Sequence, residues 1–244
     1  LDAMLSPCQA LIHINSRPVD TTVARDNRES LIIMREAARP ILDAVDRHGS
    51  IHLIIIGTLR VHPQWMPGDD YYGLDSTLAP RDVAAEGQLW MEENALERAE
   101  AERPVSVIRA SNVQGIPLSG PPGNGILHKW AEESQMGWIN IPGDGSNVKD
   151  LVHVEDLVKV VGSILSNPPP TRESFAVGSG KGITMQELGG VFNQKTGCDL
   201  ELNQSDREEV WGVTDAYFLE YRCGFRPSIS LDEMIDEALE GAGY

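Results

Sequence analysis

The sequence predicts an α/β fold, in which a doubly wound parallel sheet is followed by a smaller C-terminal α/β lobe. Strand-like and helix-like segments alternate along the first half of the chain, an order typical of parallel sheets joined by helical crossovers. The strand-like segments are short apolar runs, as expected for strands buried on both faces. The pattern changes near residue 125, so we predict a first part over 1–120 and a second over 121–244, interleaved with it.

The first half contains five predicted elements. They are a strand at 10–14, a helix at 28–49, a strand at 50–57, a helix within 81–102 and a strand at 105–111. We expect Pro40 to kink the first helix, because proline removes a helical hydrogen bond. Residues 60–82 are polar and rich in proline and glycine, and their length without periodicity favours a lid or a binding loop.

The second half mixes shorter elements. A helix is predicted at 126–136, a strand at 173–180, a helix at 184–197 and two short helices within 206–241. Thr184 and Glu187 have the spacing of a capping box, which fixes the start of the 184–197 helix.

Composition excludes several classes of function. The net charge of −17 argues against general affinity for nucleic acid or anionic membranes. No apolar run approaches the roughly 20 residues of a membrane span. The three cysteines lack metal-ligand spacing and are odd in number, which favours a reducing compartment. We therefore predict a cytoplasmic protein with no metal site and no nucleic-acid or membrane partner.

Five segments, in order, carry a resemblance to a known family. They are "ALIHINSRP", "LIIIGTLRVHP", "VSVIRASNVQGIP", "IPGDGSNVKDLVHVEDLV" and "FAVGSGKGITMQELGGVF". Together they resemble the extended short-chain dehydrogenase/reductase family, the NAD-dependent epimerases and dehydratases of nucleotide sugars. The resemblance implies a Rossmann-like fold with a C-terminal substrate lobe, NAD or NADP as cofactor, and a small or nucleotide-linked substrate.

One part of the family pattern is absent from the chain. A glycine-rich turn should follow the first strand and bind the dinucleotide pyrophosphate, but no segment before 10–14 supplies it and "GSGKG" at 178–182 comes too late. We expect that turn and the first strands to lie upstream, because the 10–14 strand would otherwise keep an unpaired buried edge. The alternative is a protein that does not hold a dinucleotide in the usual way.

The second absence is the catalytic tyrosine and lysine of the 81–102 helix. In the family, the lysine lowers the pKa of the tyrosine, which exchanges a proton with the substrate oxygen. One alignment of "PRDVAAEGQLWMEE" puts Glu86 and Trp90 in these two positions, and an alignment shifted by two puts Ala84 and Gln88 there. Neither supplies a phenol or an ammonium group.

Other side chains are candidates for the chemistry. Thr58 falls at the Ser/Thr position that holds the substrate oxygen, Glu86 can exchange a proton if it is partly buried, and His62 titrates near neutrality. Glu86 is also an ordinary first-turn acid, and His62 an ordinary loop residue. An alternative tyrosine, Tyr72 with Ser76 four residues later, has no accompanying lysine.

The resemblance also implies binding residues. The cofactor candidates are Asn15, Ser16, Arg17, Asn27, Ala110 and Ser111, and the substrate candidates are Arg60, Asn112, Lys149 and Arg207. Some have simpler explanations: residues 15–17 suit a strand-end turn, and Asn27 suits a helix cap. Lys149 stands where the family has an arginine for the diphosphate, so the charge is kept while the bidentate fork is lost.

Three functions follow from this pattern. The first is an atypical NAD(P)-dependent epimerase, dehydratase or reductase with altered acid–base residues. The second is a non-redox cyclase or isomerase that reuses the pocket, and the third is a dinucleotide-binding sensor or pseudoenzyme. The resemblance further implies a homodimer that pairs through the helices at 28–49 and 84–102.

Overall fold

The computed structural model of the protein describes residues 2–5, 7–14, 28–74, 76–116, 125–203 and 212–244. Five of the predicted binding residues lie outside these ranges: Asn15, Ser16, Arg17, Asn27 and Arg207. Their roles stay predictions.

Helices and strands alternate along the described chain. The helices are α1 (Asp2–Leu5), α2 (Arg28–His48), α3 (Val83–Glu97), α4 (Ile126–Gln135), α5 (Val154–Ser166), α6 (Met185–Thr196), α7 (Ala216–Cys223) and α8 (Leu231–Ala242), with a 3₁₀ turn at Leu59–Val61. The strands are β1 (Ala10–Ile14), β2 (His52–Thr58), β3 (Val105–Ala110), β4 (Asn112–Gln114), β5 (Trp138–Pro142), β6 (Val148–His153), β7 (Arg172–Val177), β8 (Gly182–Thr184) and β9 (Asp199–Asn203).

The chain divides into two compact units that interleave. Unit 1 comprises Leu1–Gln64, Tyr72–Ala110 and Val160–Ala176, and unit 2 comprises Trp65–Tyr71, Ser111–Lys159 and Val177–Tyr244. After β3 the chain passes from unit 1 to unit 2 at Ala110, ten residues before the predicted boundary at 120. It returns to unit 1 for Val160–Ala176, which comprises the end of α5 and most of β7.

The sheet of unit 1 has the strand order β1-β2-β3-β7. β1 pairs in parallel with β2, and β2 in parallel with β3. Helices α2 and α3 cover one face, where their apolar side chains meet alternate residues of the strands; this core includes Leu42, Leu53, Ile55, Met91 and Val107. Alternation of buried parallel strands with covering helices confirms the predicted fold class.

The bounds of two helices in unit 1 can be set against the prediction. Helix α2 forms over nearly the whole predicted span with Pro40 inside it, and the expected kink at Pro40 stays a prediction. Helix α3 begins at Val83 because the Asp82 carboxylate accepts the Ala85 amide hydrogen bond at 2.9 Å. It ends before the predicted 102, since Glu100 and Arg103 exchange backbone hydrogen bonds of 3.1 Å in a tight turn that leads into β3.

β1 is an outer strand of the described sheet. Its Ile12 and Ile14 side chains are 43% and 61% exposed on the face away from α2 and α3. Such exposure is unusual for aliphatic residues in a parallel strand. The expectation that further strands pair with β1 stays a prediction.

Unit 2 is built around three helices and two small sheets. β4, β6 and β8 form one sheet, and β5 pairs with β9. The core packs α4, α6 and α8 together, with Trp130 meeting Phe192 edge-on at 5.8 Å between ring centroids. The predicted capping box of Thr184 and Glu187 is present and starts α6.

No helix in the described ranges has the length and apolarity needed to cross a bilayer. The same ranges contain no group of three or more His, Cys, Asp or Glu side chains that could hold a metal ion.

Candidate functional site

Thr58 ends β2 beside the end of β3. In the strand register it is the partner of Ala110, so the predicted catalytic and cofactor-binding residues of unit 1 lie side by side at the carboxyl edge of the sheet. The Thr58 hydroxyl oxygen accepts a hydrogen bond from the Arg60 amide at 3.3 Å and so caps the 3₁₀ turn. A hydroxyl that accepts in this way still has its proton to donate. Ligands of open α/β sheets bind at this edge.

A buried ionic cluster lies behind this edge on α3. The Gln88 amide donates to the Glu92 carboxylate at 3.0 Å, and Arg109 of β3 donates to the other carboxylate oxygen at 2.9 Å. Glu92 has no exposed surface. Burial raises the pKa of Glu92, while the Arg109 charge and the hydrogen bonds from Gln88 and Arg109 oppose that rise. The carboxylate therefore depends on its two partners to be tolerated in the interior.

Gly57 allows α3 to approach the end of β2. A Cβ atom at this position would lie 2.3 Å from a Glu92 carboxylate oxygen and 2.9 Å from the Gln88 amide nitrogen. Only glycine fits without displacement of the cluster. Gln88 thus lies directly against the residue that precedes Thr58.

This approach bears on the two possible alignments of α3. Trp90, one candidate for the lysine position, faces α2 and holds the Arg35 guanidinium over its ring at 5.6 Å. Gln88, the other candidate, faces the end of β2. The geometry favours the alignment that places Ala84 and Gln88 in the tyrosine and lysine positions.

Glu86 lies on the exposed side of the first turn of α3. An acid there interacts favourably with the amino end of the helix dipole. The catalytic role of Glu86 stays a prediction, and its position matches the simpler explanation given above.

Arg60 connects the two ends of the 60–82 segment. Its guanidinium forms an ion pair with Asp82, the residue that caps α3. The predicted substrate residue is therefore already engaged in joining the two ends of the segment, and substrate binding by Arg60 stays a prediction.

His62 is completely buried. Its Nδ1 lies 2.9 Å from the Thr77 carbonyl oxygen, and its ring stacks on Tyr72 with 4.6 Å between centroids. Burial, with a smaller contribution from the Arg109 and Arg81 charges, lowers the pKa of His62 to about 4. The imidazole is neutral at pH 7, and because a carbonyl accepts, Nδ1 carries the proton. His62 is thus a hydrogen-bond acceptor through Nε2, which differs from the near-neutral titration that the sequence suggests.

The alternative tyrosine is also engaged locally. The Tyr72 hydroxyl donates to the Pro63 carbonyl oxygen, and the Ser76 hydroxyl accepts from the Gly73 amide at 2.8 Å. Both side chains stabilise the turns of the 60–82 segment.

Three predicted binding residues belong to unit 2. Ser111 donates its amide to the Val177 carbonyl at 2.8 Å, and its buried hydroxyl has no hydrogen-bond partner among the described residues. The Asn112 side chain donates to the Asp150 carbonyl at 3.4 Å. Lys149 is buried in β6 and has polar or ionic contacts within the protein. Their binding roles stay predictions.

Asp150 of unit 2 accepts five hydrogen bonds through its carboxylate. One carboxylate oxygen accepts from the amide and hydroxyl of Ser179, both at 2.7 Å. The other accepts from the Gly180 amide at 3.1 Å and from the amide and hydroxyl of Thr214 at 3.0 and 2.7 Å. A Cβ at Gly178 would lie 2.4 Å from this second oxygen. The glycine-rich 178–182 segment therefore surrounds a carboxylate of the protein itself.

Comparison with known proteins supplies a structural context and no sequence relative. No protein-family model matches this chain, and no curated protein does.

Many solved structures share the fold. MoeE5 in complex with UDP-glucuronic acid and NAD is 18% identical, with a TM-score of 0.84, over 98% of this chain and 80% of that one. UDP-glucuronic acid 4-epimerase from Bacillus cereus, in complex with UDP-glucuronic acid and NAD, is 15% identical, with a TM-score of 0.84, over 99% and 77%. UDP-glucose 4-epimerase from Thermotoga maritima with UDP-glucose is 20% identical, with a TM-score of 0.83, over 98% and 79%. The chain therefore has the Rossmann-like α/β fold that these structures share.

Proposed function

We propose that this chain belongs to an atypical NAD- or NADP-dependent enzyme that acts on a nucleotide-linked sugar as an epimerase, dehydratase or reductase. The observation that carries the proposal is the likeness, over 98% of the chain, to a structure that holds both UDP-glucuronic acid and NAD. Thr58 supports it, because a hydroxyl with a proton to donate stands at the edge where such folds bind ligands.

The cofactor would lie along the ends of β2 and β3. Ser111 belongs to unit 2, and its assignment to the cofactor stays a prediction; its hydroxyl is buried and unpartnered within the described ranges. Ala110 is small and buried at the end of β3, so the strand backbone is open to close approach. When bound, a nicotinamide would accept and return a hydride. The residues of this chain would orient the substrate and hold protons.

Thr58 has a defined part in this proposal: it donates a hydrogen bond to the reacting oxygen of the sugar. The attraction of the diphosphate to Lys149 stays a prediction from the family resemblance. Ala84 offers no proton, and the neutral Gln88 amide cannot lower the pKa of a neighbouring hydroxyl as an ammonium would. These two positions therefore lack general acid–base help worth roughly 10²–10⁴-fold in rate.

A second candidate is a sensor that binds the dinucleotide without turning over substrate. Ala84 and Gln88 favour it, since both side chains lack an ionisable group. An enzyme and a sensor would share this fold, so dinucleotide binding and substrate turnover have to be measured separately.

Calorimetric titration with NAD⁺, NADH, NADP⁺ and NADPH tests the proposal. We expect saturable binding of one pair, followed by turnover of a UDP-sugar that falls at least about tenfold in Thr58→Ala, the loss expected for one transition-state hydrogen bond. Thr171→Ala, at an exposed threonine of the same unit, is the matched control. Absence of dinucleotide binding contradicts the proposal, and binding without turnover favours the sensor.

A further inference from the structure

The start and the end of the 60–82 segment belong to unit 1, where they lie side by side, whereas Trp65–Tyr71 belongs to unit 2. We name the second half of the segment, Tyr72–Arg81, the return limb; residue 75 lies outside the described ranges. The limb runs beside the 3₁₀ turn, where the Ala79 amide donates to the Val61 carbonyl at 2.9 Å and the Arg81 amide donates to the Arg60 carbonyl at 3.2 Å.

The side chain of Arg81 fastens the limb. Its Nε donates to the His62 carbonyl at 3.1 Å, and one terminal nitrogen donates to the Pro63 carbonyl at 2.8 Å and to the Tyr72 hydroxyl at 3.1 Å. One guanidinium thus joins the start of the segment to the first residue of the limb. Hydrogen bonds from a charged donor are among the stronger ones in proteins.

The limb hides one half of the His62 imidazole. Tyr72 covers the ring and Thr77 accepts the Nδ1 proton. Nε2 is buried and has no hydrogen-bond partner among the described residues. A buried acceptor without a donor is unfavourable and rare in native proteins. The lone pair of Nε2 is therefore the feature that calls for a function.

We propose that the return limb is a cover over a concealed acceptor site, and that, when Tyr72 moves off the ring, His62 Nε2 accepts a hydrogen bond from an O–H or N–H group of a ligand. Arg81 is a positioning residue, because it acts only by holding the limb. The ligand class rests on the proposed function: a sugar hydroxyl is such a donor, and His62 follows Thr58 by four residues in the sequence.

The chemistry of the site selects against anions. While the Thr77 carbonyl keeps the proton on Nδ1, the imidazole presents only a lone pair at Nε2, so a phosphate or carboxylate oxygen finds no donor there. A hydroxyl, by contrast, satisfies the acceptor. The neutral sugar, not the diphosphate, is the part of a nucleotide sugar that this site takes.

Carbethoxylation by diethyl pyrocarbonate tests the cover without any ligand, since the reagent attacks the lone pair of a neutral imidazole. We compare the wild type, Arg81→Met and, as a matched surface control, Arg172→Met, and we follow each histidine by peptide mass spectrometry. His52 is the internal control, because it is buried in the same unit and hydrogen-bonded to Ser106 at 3.0 Å.

We expect His62 to react slowly in the wild type and at least about tenfold faster in Arg81→Met, with His52 unchanged and Arg172→Met like the wild type. Tyr72→Phe, which removes one Arg81 contact and keeps the stacked ring, should accelerate His62 by a smaller factor. Equal rates of His62 modification in the wild type, Arg81→Met and Tyr72→Phe overturn the proposed cover. A parallel rise in the modification rates of His52 and His62 in Arg81→Met and Tyr72→Phe also overturns it, because modification then follows unfolding.

UDP-glucose with NAD tests the ligand. Slower reaction of His62 in Arg81→Met on addition of UDP-glucose, with His52 unaffected, supports the acceptor role. An unchanged rate despite calorimetrically measured UDP-glucose binding overturns that role. If UDP-glucose does not bind at all, the proposed function fails, whereas the acceleration by Arg81→Met still decides the cover.

Discussion

At the scale of single residues, the central feature is a carboxylate that the fold buries and then neutralises. Glu92 contacts both Arg109 and Gln88 in a region without exposed surface. Ionic groups of this kind contribute little net stability when paired, yet loss of one partner leaves an uncompensated charge. The pair is therefore expected to be far more sensitive to substitution than an ion pair on the surface.

Glu92→Gln should lower the free energy of unfolding by about 3–5 kcal/mol, because the Arg109 charge is left buried without a counter-charge. Urea unfolding followed by circular dichroism measures the change. Glu93→Gln, at the adjacent exposed position, is the control and should change stability by less than about 0.5 kcal/mol. Similar effects of the two substitutions would show that the pair is not buried as described.

His62 makes stability depend on pH. Its pKa is lowered to about 4 in the folded state from an ordinary value of 6.5, so the folded protein binds this proton less readily than the unfolded chain. The contribution is complete above pH 6.5 and is lost as the pH falls towards 4. Between pH 7 and pH 5 we expect His62 to account for a loss of about 2 kcal/mol.

His62→Gln should flatten that part of the pH profile, measured as urea unfolding free energies at closely spaced pH values. An unaltered slope in His62→Gln would falsify the assignment.

At the scale of elements, the contact between α3 and β2 sets the geometry of the candidate site. The strand ends in glycine and threonine, and the helix presents Gln88 and Glu92 to the glycine. Sequence alone left two alignments of α3 open, because neither places a tyrosine and a lysine at the family positions. The close approach at Gly57 is a tertiary feature, and it favours the alignment through Ala84 and Gln88.

Gly57→Ala should destabilise the protein by roughly 1–3 kcal/mol, as expected when a methyl group is forced into a filled space. Gly162→Ala is the matched control, since nothing lies within 4 Å of a Cβ at that helical position. It should stabilise by about 0.5–1 kcal/mol through helix propensity. Thermal unfolding of the two variants gives the comparison, and equal shifts would contradict the close approach.

The choice of alignment predicts a gain of function. Ala84→Tyr with Gln88→Lys should raise turnover of a UDP-sugar at least about tenfold, because a phenol and an ammonium return one turn apart at the end of β2. Glu86→Tyr with Trp90→Lys should not. Nicotinamide absorbance and product analysis measure the rates. A gain in the second pair alone would reverse the alignment.

At the scale of the whole molecule, the order of elements is what the sequence predicts well. The strand at 10–14 forms as Ala10–Ile14, and the 28–49 helix forms as Arg28–His48. Apolar runs and helix caps are local signals, so they are legible without a structure. The role of Thr58, by contrast, was implied by the family resemblance, and the structure adds that Thr58 lies beside Ala110 at the ends of β2 and β3.

The candidate site was less predictable, because its side chains are defined by contacts between distant segments. Nothing local marks His62 as a buried neutral acceptor, since its burial comes from Tyr72 and Thr77 more than nine residues later. The Glu92–Arg109 pair likewise joins a helix to a strand 17 residues away. Pairings of this kind require the fold to be known first.

Asp150 of β6 binds residues that come much later in the chain, after α5 and β7. Ser179, Gly180 and Thr214 direct three amide hydrogens and two hydroxyls at one carboxylate, which is the kind of donor set that binds free anions in other proteins. Here the anion is the Asp150 carboxylate, which is part of the chain, so a phosphate in solution would have to displace a group held at high effective concentration. The "GSGKG" segment therefore resembles a nucleotide-binding loop in sequence, but its donors are already occupied by Asp150.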